Sequence, residues 1–244
     1  MGRDGMERFA PTAVSAGPVG QTTLSPGCWR AAAGETIDMR VLELLTARLC
    51  HELSGPIAAV NNGVELLAEE DADPGSLLGR SFMRDAVSLV SDSARRAGSR
   101  LQFYRFAYGF GQAGAIAGLA PHELAASFFD ASRIACDYTE SIRILSPDWQ
   151  KLACNLLSVG AEMLPRGGRL VLTDGPLNLE AVGKAAALSP ETKAALLLAT
   201  PIAELTAQTV QAYFTGLLAK ALDCRLIGAA EPERIRLTAI AASA

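Results

Sequence analysis

The sequence predicts an α+β protein: a long N-terminal helical hairpin followed by an α/β sandwich. Three observations carry that expectation. Apolar residues recur at three- and four-residue steps over about 30 residues from Leu42. A second such run follows it after only Asp71-Ala-Asp-Pro-Gly75, a helix-breaking turn. Beyond residue 118, shorter helical patterns alternate with period-two segments bounded by Gly and Pro. With 244 residues, half of them apolar, the chain has material for the cores these elements need.

Residues 1–36 carry recurrent Gly and Pro without apolar periodicity and read as a disordered or irregular tail. The first helix then shows a narrow seam of Leu42, Leu45, Leu49, Leu53, Pro56 or Ile57, Val60, Val64 and Leu67. The second, from Ser76 to Tyr108, carries Leu78, Phe82, Ala86, Leu89, Val90, Ala94, Ala97, Leu101 and Tyr104. Together they make a hairpin over 37–110. Two helices cannot cover both of their own seams, so two hairpins are expected to pair as a four-helix bundle in a homodimer.

A Gly-rich linker, 111–118, leads to the second domain, 119–244. Pro121 suits a helix start, with Leu124, Phe128, Phe129 and Ile134 as its apolar face. Ile142 and Ile144 alternate like a short strand. Ser146-Pro147-Asp148 opens a helix bearing Trp149, Leu152, Leu156, Leu157 and Val159, which Gly167-Gly168 ends. Arg169–Thr173 and Leu177–Val182 read as paired strands across Asp174-Gly175-Pro176. A helix over Thr206–Leu222 and strands over 224–229 and 234–241 complete an antiparallel sheet with helices on one face.

Composition narrows the function. No run approaches 18 apolar residues, and no apolar h-region follows basic residues at the start, so neither a membrane span nor a secretory signal is expected. A net charge of −4 supplies no basic footprint for nucleic acid. Five cysteines without CxxC spacing fit reduced thiols and a cytoplasmic setting. Cys50, Cys136, Cys154 and Cys224 read as core packing. The aromatics from Phe103 to Phe110 read as bracing between the hairpin and the second domain.

Only two histidines exist, His51 and His122. His122 follows Pro121 at a helix start, where the dipole disfavours added positive charge, and reads as structural. His51 lies between seam residues Leu49 and Leu53; two residues turn a helix by about 200°, so its side chain points to solvent. Arg48, Gly55 and Asn62 share that exposed stripe. A neutral imidazole there offers a lone pair as a nucleophile. Pro56 in mid-helix is costly unless the irregularity is used.

The string Leu49-Cys-His-Glu-Leu-Ser-Gly-Pro56 resembles the H-box of histidine kinases, His-Asp/Glu-Leu-x-x-Pro, whose histidine carries a phosphoryl group. With Asn62-Gly-Val-Glu-Leu-Leu67 and Phe103-Tyr-Arg-Phe-Ala-Tyr-Gly109 in order, the chain from about residue 40 onward resembles the ChpT-type histidine phosphotransferases of alphaproteobacteria. The resemblance implies that the second domain is a degenerate histidine-kinase ATPase-like (Bergerat-like) domain. Asn155-Leu-Leu-Ser-Val159 keeps half of the kinase's Asn box, but Val159 stands where a kinase has its Mg²⁺ ligand, and valine offers no oxygen. The later glycine boxes are missing.

By the same resemblance, His51 shuttles a phosphoryl group between receiver-domain aspartates, and Glu52 is its acid/base neighbour. Arg48, Ser54, Gly55, Pro56 and Asn62 would meet the receiver. No cofactor is implied for the chain itself; Mg²⁺ would come from the receiver. The implied partners are a CckA-like hybrid kinase upstream and CtrA-like and CpdR-like regulators downstream. Two alternatives stay open: an active histidine kinase fragment, and a non-catalytic dimeric scaffold that binds receivers.

Overall fold

Residues 37–68, 77–109, 118–130, 132–173, 175 and 177–241 are described in a computed structural model of the chain. The tail, the Asp71–Gly75 turn, Asp174, Pro176 and the linker through residue 117 lie outside them.

Asp38 opens the first helix, its carboxylate accepting a 2.8 Å hydrogen bond from the Arg40 N–H. Helix α1 spans Met39–Ala68 and α2 spans Leu77–Tyr108, close to the spans the periodicity predicts. They meet closely at Gly63, where a Cβ would lie 2.6 Å from Val90 Cγ2. Toward the second domain the hairpin buries Val41 and Leu45 from α1 and Phe103, Tyr104, Phe106 and Ala107 from α2. Elsewhere its apolar seam is open: Leu42, Ile57, Val64, Phe82, Val87, Leu89 and Leu101 are each at least 40% exposed.

The rest of the chain adds α3 (Pro121–Phe129), β1 (Ile134–Tyr138), α4 (Glu140–Arg143), α5 (Pro147–Glu162), β2 (Gly168–Thr173), β3 (Asn178–Val182), α6 (Pro190–Leu196), α7 (Val210–Ala221), β4 (Cys224–Glu231) and β5 (Arg234–Ala241). The sheet order is β1-β2-β3-β5-β4. One face is buried in strict alternation: Leu170 and Leu172, Leu179 and Ala181, Ile235 and Leu237. Cross-strand ion pairs Arg169–Asp137 and Arg236–Glu180 sit among the other side chains of these strands. Helix α5 lies on the buried face so closely that a Cβ on Gly160 would stand 2.6 Å from Leu179 Cδ2.

Three local expectations are corrected. The sheet is mixed, because β1 runs parallel to β2 from Ile134↔Gly168 to Tyr138↔Leu172. Ile134 therefore begins a strand instead of ending the helical face of α3. Ile142 and Ile144 belong to a single helical turn and its end, the first fully buried and the second 84% exposed. Two alternating residues fit either period, and the Ile142 N–H bonds to the Thr139 carbonyl at 3.2 Å, closing a turn. Helix α6 was not expected at all.

Candidate functional site

Helix α1 runs through Pro56, which lacks the N–H that would reach the Glu52 carbonyl one turn back. Around that irregularity His51, Ser54, Gly55 and Asn62 are all exposed, and Pro56 is half-buried. A Cβ on Gly55 would meet nothing within 4 Å. The chain's own packing does not require glycine there, although glycine costs a helix about 1 kcal/mol relative to alanine. The Ser54 hydroxyl donates to the Cys50 carbonyl at 2.7 Å. Cys50 itself is exposed, which corrects its assignment to the core; Cys154 and Cys224 are buried.

Arg48 departs from the expected solvent stripe. Its side chain is only 13% exposed, and one guanidinium nitrogen lies 2.5 Å from a Glu162 carboxylate oxygen at the end of α5. Another donates to the Ala207 carbonyl across a long 3.5 Å. Helical azimuth alone cannot register a second domain folding back over one side of α1. Arg40 makes the same kind of tie, donating to the Leu205 carbonyl at 3.0 Å.

Glu52 is ion-paired with Arg100 of α2. Arg100 in turn lies over the Phe128 ring of α3, 5.5 Å from its centroid. Two compensated pairs, Arg48–Glu162 and Glu52–Arg100, therefore flank the exposed imidazole. Together with Ala47, His51, Arg48, Glu52 and Glu162 border an open cleft of about 770 Å³ whose far wall is Met163, Ala187, Ser189, Thr192, Ala207 and Gln208.

The electrostatics of this wall are unusual. Burial pushes the Glu162 carboxyl up to about 7; the Arg48 charge opposes that and the Glu52 charge adds to it. Tyr104 is pushed up to about 12, mainly by burial and then by Glu52. Tyr108 is also raised by burial, and its hydroxyl donates to the side-chain amide oxygen of Gln211.

The Asn-box remnant is wholly interior. The Asn155 amide donates to the Ala107 carbonyl at 2.8 Å and the Lys151 carbonyl at 2.9 Å, and its oxygen accepts from Gln211 Nε2 at 2.9 Å. Val159 is fully buried. Asn155 thus ties the end of α2 to α5 and α7. Among the described residues, no group of three or more His, Cys, Asp or Glu side chains is placed to hold a metal ion. No helix among them is long and apolar enough to cross a membrane. His122 is half-buried, its ring 6.2 Å from that of Tyr138. Sequence reasoning missed Arg100 and Glu162, since each acts through a residue distant in the chain.

Comparison with known proteins shows the family and the fold. The model of the histidine phosphotransferase C-terminal domain family matches residues 121–234. The protein phosphotransferase ChpT of Brucella abortus (strain 2308) is 34% identical over 193 residues, covering 72% of this chain and 84% of that protein. A solved structure described as a bacterial phosphotransferase aligns with a TM-score of 0.67 and 28% identity, covering 84% of this chain and 98% of the other.

Proposed function

The chain belongs to the ChpT family of histidine phosphotransferases, and on that premise we propose that His51 carries a phosphoryl group between the aspartates of two receiver domains, without using ATP. The observation that carries this reading is the exposed imidazole at the edge of the cleft, beside a glycine that the chain's own packing leaves in open space.

In the proposed transfer a receiver docks along α1, with Gly55, Ser54, Pro56 and Asn62 beneath it. The imidazole lone pair attacks phosphorus in line. The P–N bond forms, the P–O bond of the aspartyl phosphate breaks, and the aspartate leaves as a carboxylate. The ring gives up its N–H proton to Glu52 or to water, and the second receiver reverses the sequence. Mg²⁺ comes with the receiver's acidic pocket, as befits a hard cation that takes oxygen ligands. The full commitment of Asn155 to protein partners and the burial of Val159 favour a helix α5 that holds no nucleotide.

A second copy of the chain covers the open seam of the hairpin, whose exposed Leu42, Ile57, Val64, Val87 and Leu101 favour a four-helix bundle. The partners are a CckA-like kinase receiver and CtrA-like and CpdR-like regulators, and the setting is the cytoplasm.

Incubation with a ³²P-labelled receiver domain tests the reading. Acid-labile label on the wild type and none on His51→Ala is the expected result. Label on neither points to a scaffold, and autophosphorylation from ATP points to a kinase.

A further inference from the structure

We propose that Glu162 is a positioning residue for phosphoryl transfer at His51, acting from the second domain through Arg48. The inference rests on the transfer reading above and adds to it a residue from the other side of the cleft. Arg48 precedes His51 by three positions, so both side chains lie on one face of α1, and both line the same cleft. An arginine so placed is suited to phosphoryl oxygens, which its fork of N–H donors matches. Left to itself the side chain is long and samples many rotamers. Here it is not left to itself. Glu162 takes one guanidinium nitrogen at 2.5 Å, and the Ala207 carbonyl accepts from the other. Tyr104 and Tyr108 face the same group from α2. Arg48 Nε is buried without a partner.

Stability is a weak reason for this pair. Glu162 is the last residue of α5, the end where the helix dipole disfavours negative charge, and partly buried ion pairs often return little. Orientation is a better one. A carboxyl oxygen can accept the guanidinium N–H whether or not its acid carries a proton. Because burial holds this acid up to about 7, the arginine charge is only partly cancelled near neutral pH. Arg48 is thus aimed while keeping positive charge for an incoming phosphoryl group, a preorganised arrangement that needs no rearrangement during transfer.

The test measures single-turnover transfer from a CckA-like receiver domain, phosphorylated with ³²P-acetyl phosphate, across receiver concentrations. Glu162→Ala is expected to lower the maximal rate about tenfold or more, the scale of one misplaced positioning contact. The half-saturating receiver concentration should move less than about threefold. Glu162→Gln, whose amide oxygen accepts the same N–H, should recover most of the rate. Adding Glu162→Ala to Arg48→Ala should cost nothing further. A wild-type rate in Glu162→Ala, a change confined to half-saturation, failure of Glu162→Gln to recover the rate, or full additivity with Arg48→Ala would each overturn the inference. If Glu162→Ala unfolds, the glutamine variant and the Arg48→Ala comparison decide. A wild type that takes no label overturns the transfer reading along with it, whereas a labelled wild type with an unaffected Glu162→Ala overturns only the role of Glu162.

Discussion

Glu52, the residue after the candidate phosphoryl carrier, is ion-paired with Arg100 on the opposite helix of the hairpin. The pair joins α1 to α2, and through the Phe128 ring Arg100 extends the connection to α3. Both side chains are partly exposed, so the coupling should be modest. A double-mutant cycle of Glu52→Gln and Arg100→Met, read by urea denaturation, should give about 0.5–1 kcal/mol. A coupling indistinguishable from zero would reduce the pair to a surface contact.

The two glycines of α1 should respond in opposite ways to alanine. At Gly63 the new Cβ meets Val90 Cγ2 at 2.6 Å, and a β-branched side chain gives way poorly. Gly63→Ala should therefore destabilise by about 1–3 kcal/mol despite alanine's better helix propensity. At Gly55 the Cβ enters open space, so Gly55→Ala should stabilise by about 0.5–1 kcal/mol. The same substitution should slow transfer from a phosphorylated receiver. Thermal melting and transfer kinetics on the two variants check both signs, and an unimpaired Gly55→Ala removes Gly55 from the docking face.

Restoring the kinase-like residue should not restore a kinase. Val159 is fully buried, so Val159→Asn places an amide in the core without an arranged partner. The expected cost is about 2–3 kcal/mol, seen as a lower urea midpoint, with no binding of a fluorescent ATP analogue. Nucleotide binding by this variant would show that the pocket had persisted.

Glu162 should leave a signature in the pH dependence of stability. Burial raises its carboxyl from 4.5 to about 7, against the pull of Arg48 and with help from Glu52. The folded chain therefore holds that proton more tightly than the unfolded one. Its stabilising contribution is full below about 4.5 and is lost as pH rises through about 7. The stability of wild type relative to Glu162→Gln should fall across that window and level off above it. Urea midpoints at half-unit intervals test this; a rise over the same range would mean that attraction to Arg48 outweighs burial.

Much of the architecture was legible because it rests on local patterns. Leu45, Leu49 and Leu53 mark α1 by spacing alone, and Ser146-Pro147-Asp148 marks the start of α5. The same pattern recurs at Ser189-Pro190-Glu191, where Ser189 Oγ accepts the Thr192 N–H at 3.1 Å and opens α6. The signal is weaker there, since only a short helix follows it. The parallel pairing of β1 was illegible for a different reason: it depends on α5 crossing between β1 and β2, a tertiary event. At the site, helical geometry placed His51, Gly55 and Asn62 in solvent correctly. It failed for Arg48 because Glu162 comes from another element, and no periodicity in α1 encodes an acid on α5.

The buried junction of Asn155 with Ala107 and Gln211 bears on the proposed transfer. These hydrogen bonds hold the end of α2 to α5 and α7 in the core, while the imidazole of His51 stays exposed. Under the proposed transfer, a carrier left open in this way would admit donor and acceptor alike, and the direction of flow would be decided by which receivers arrive phosphorylated.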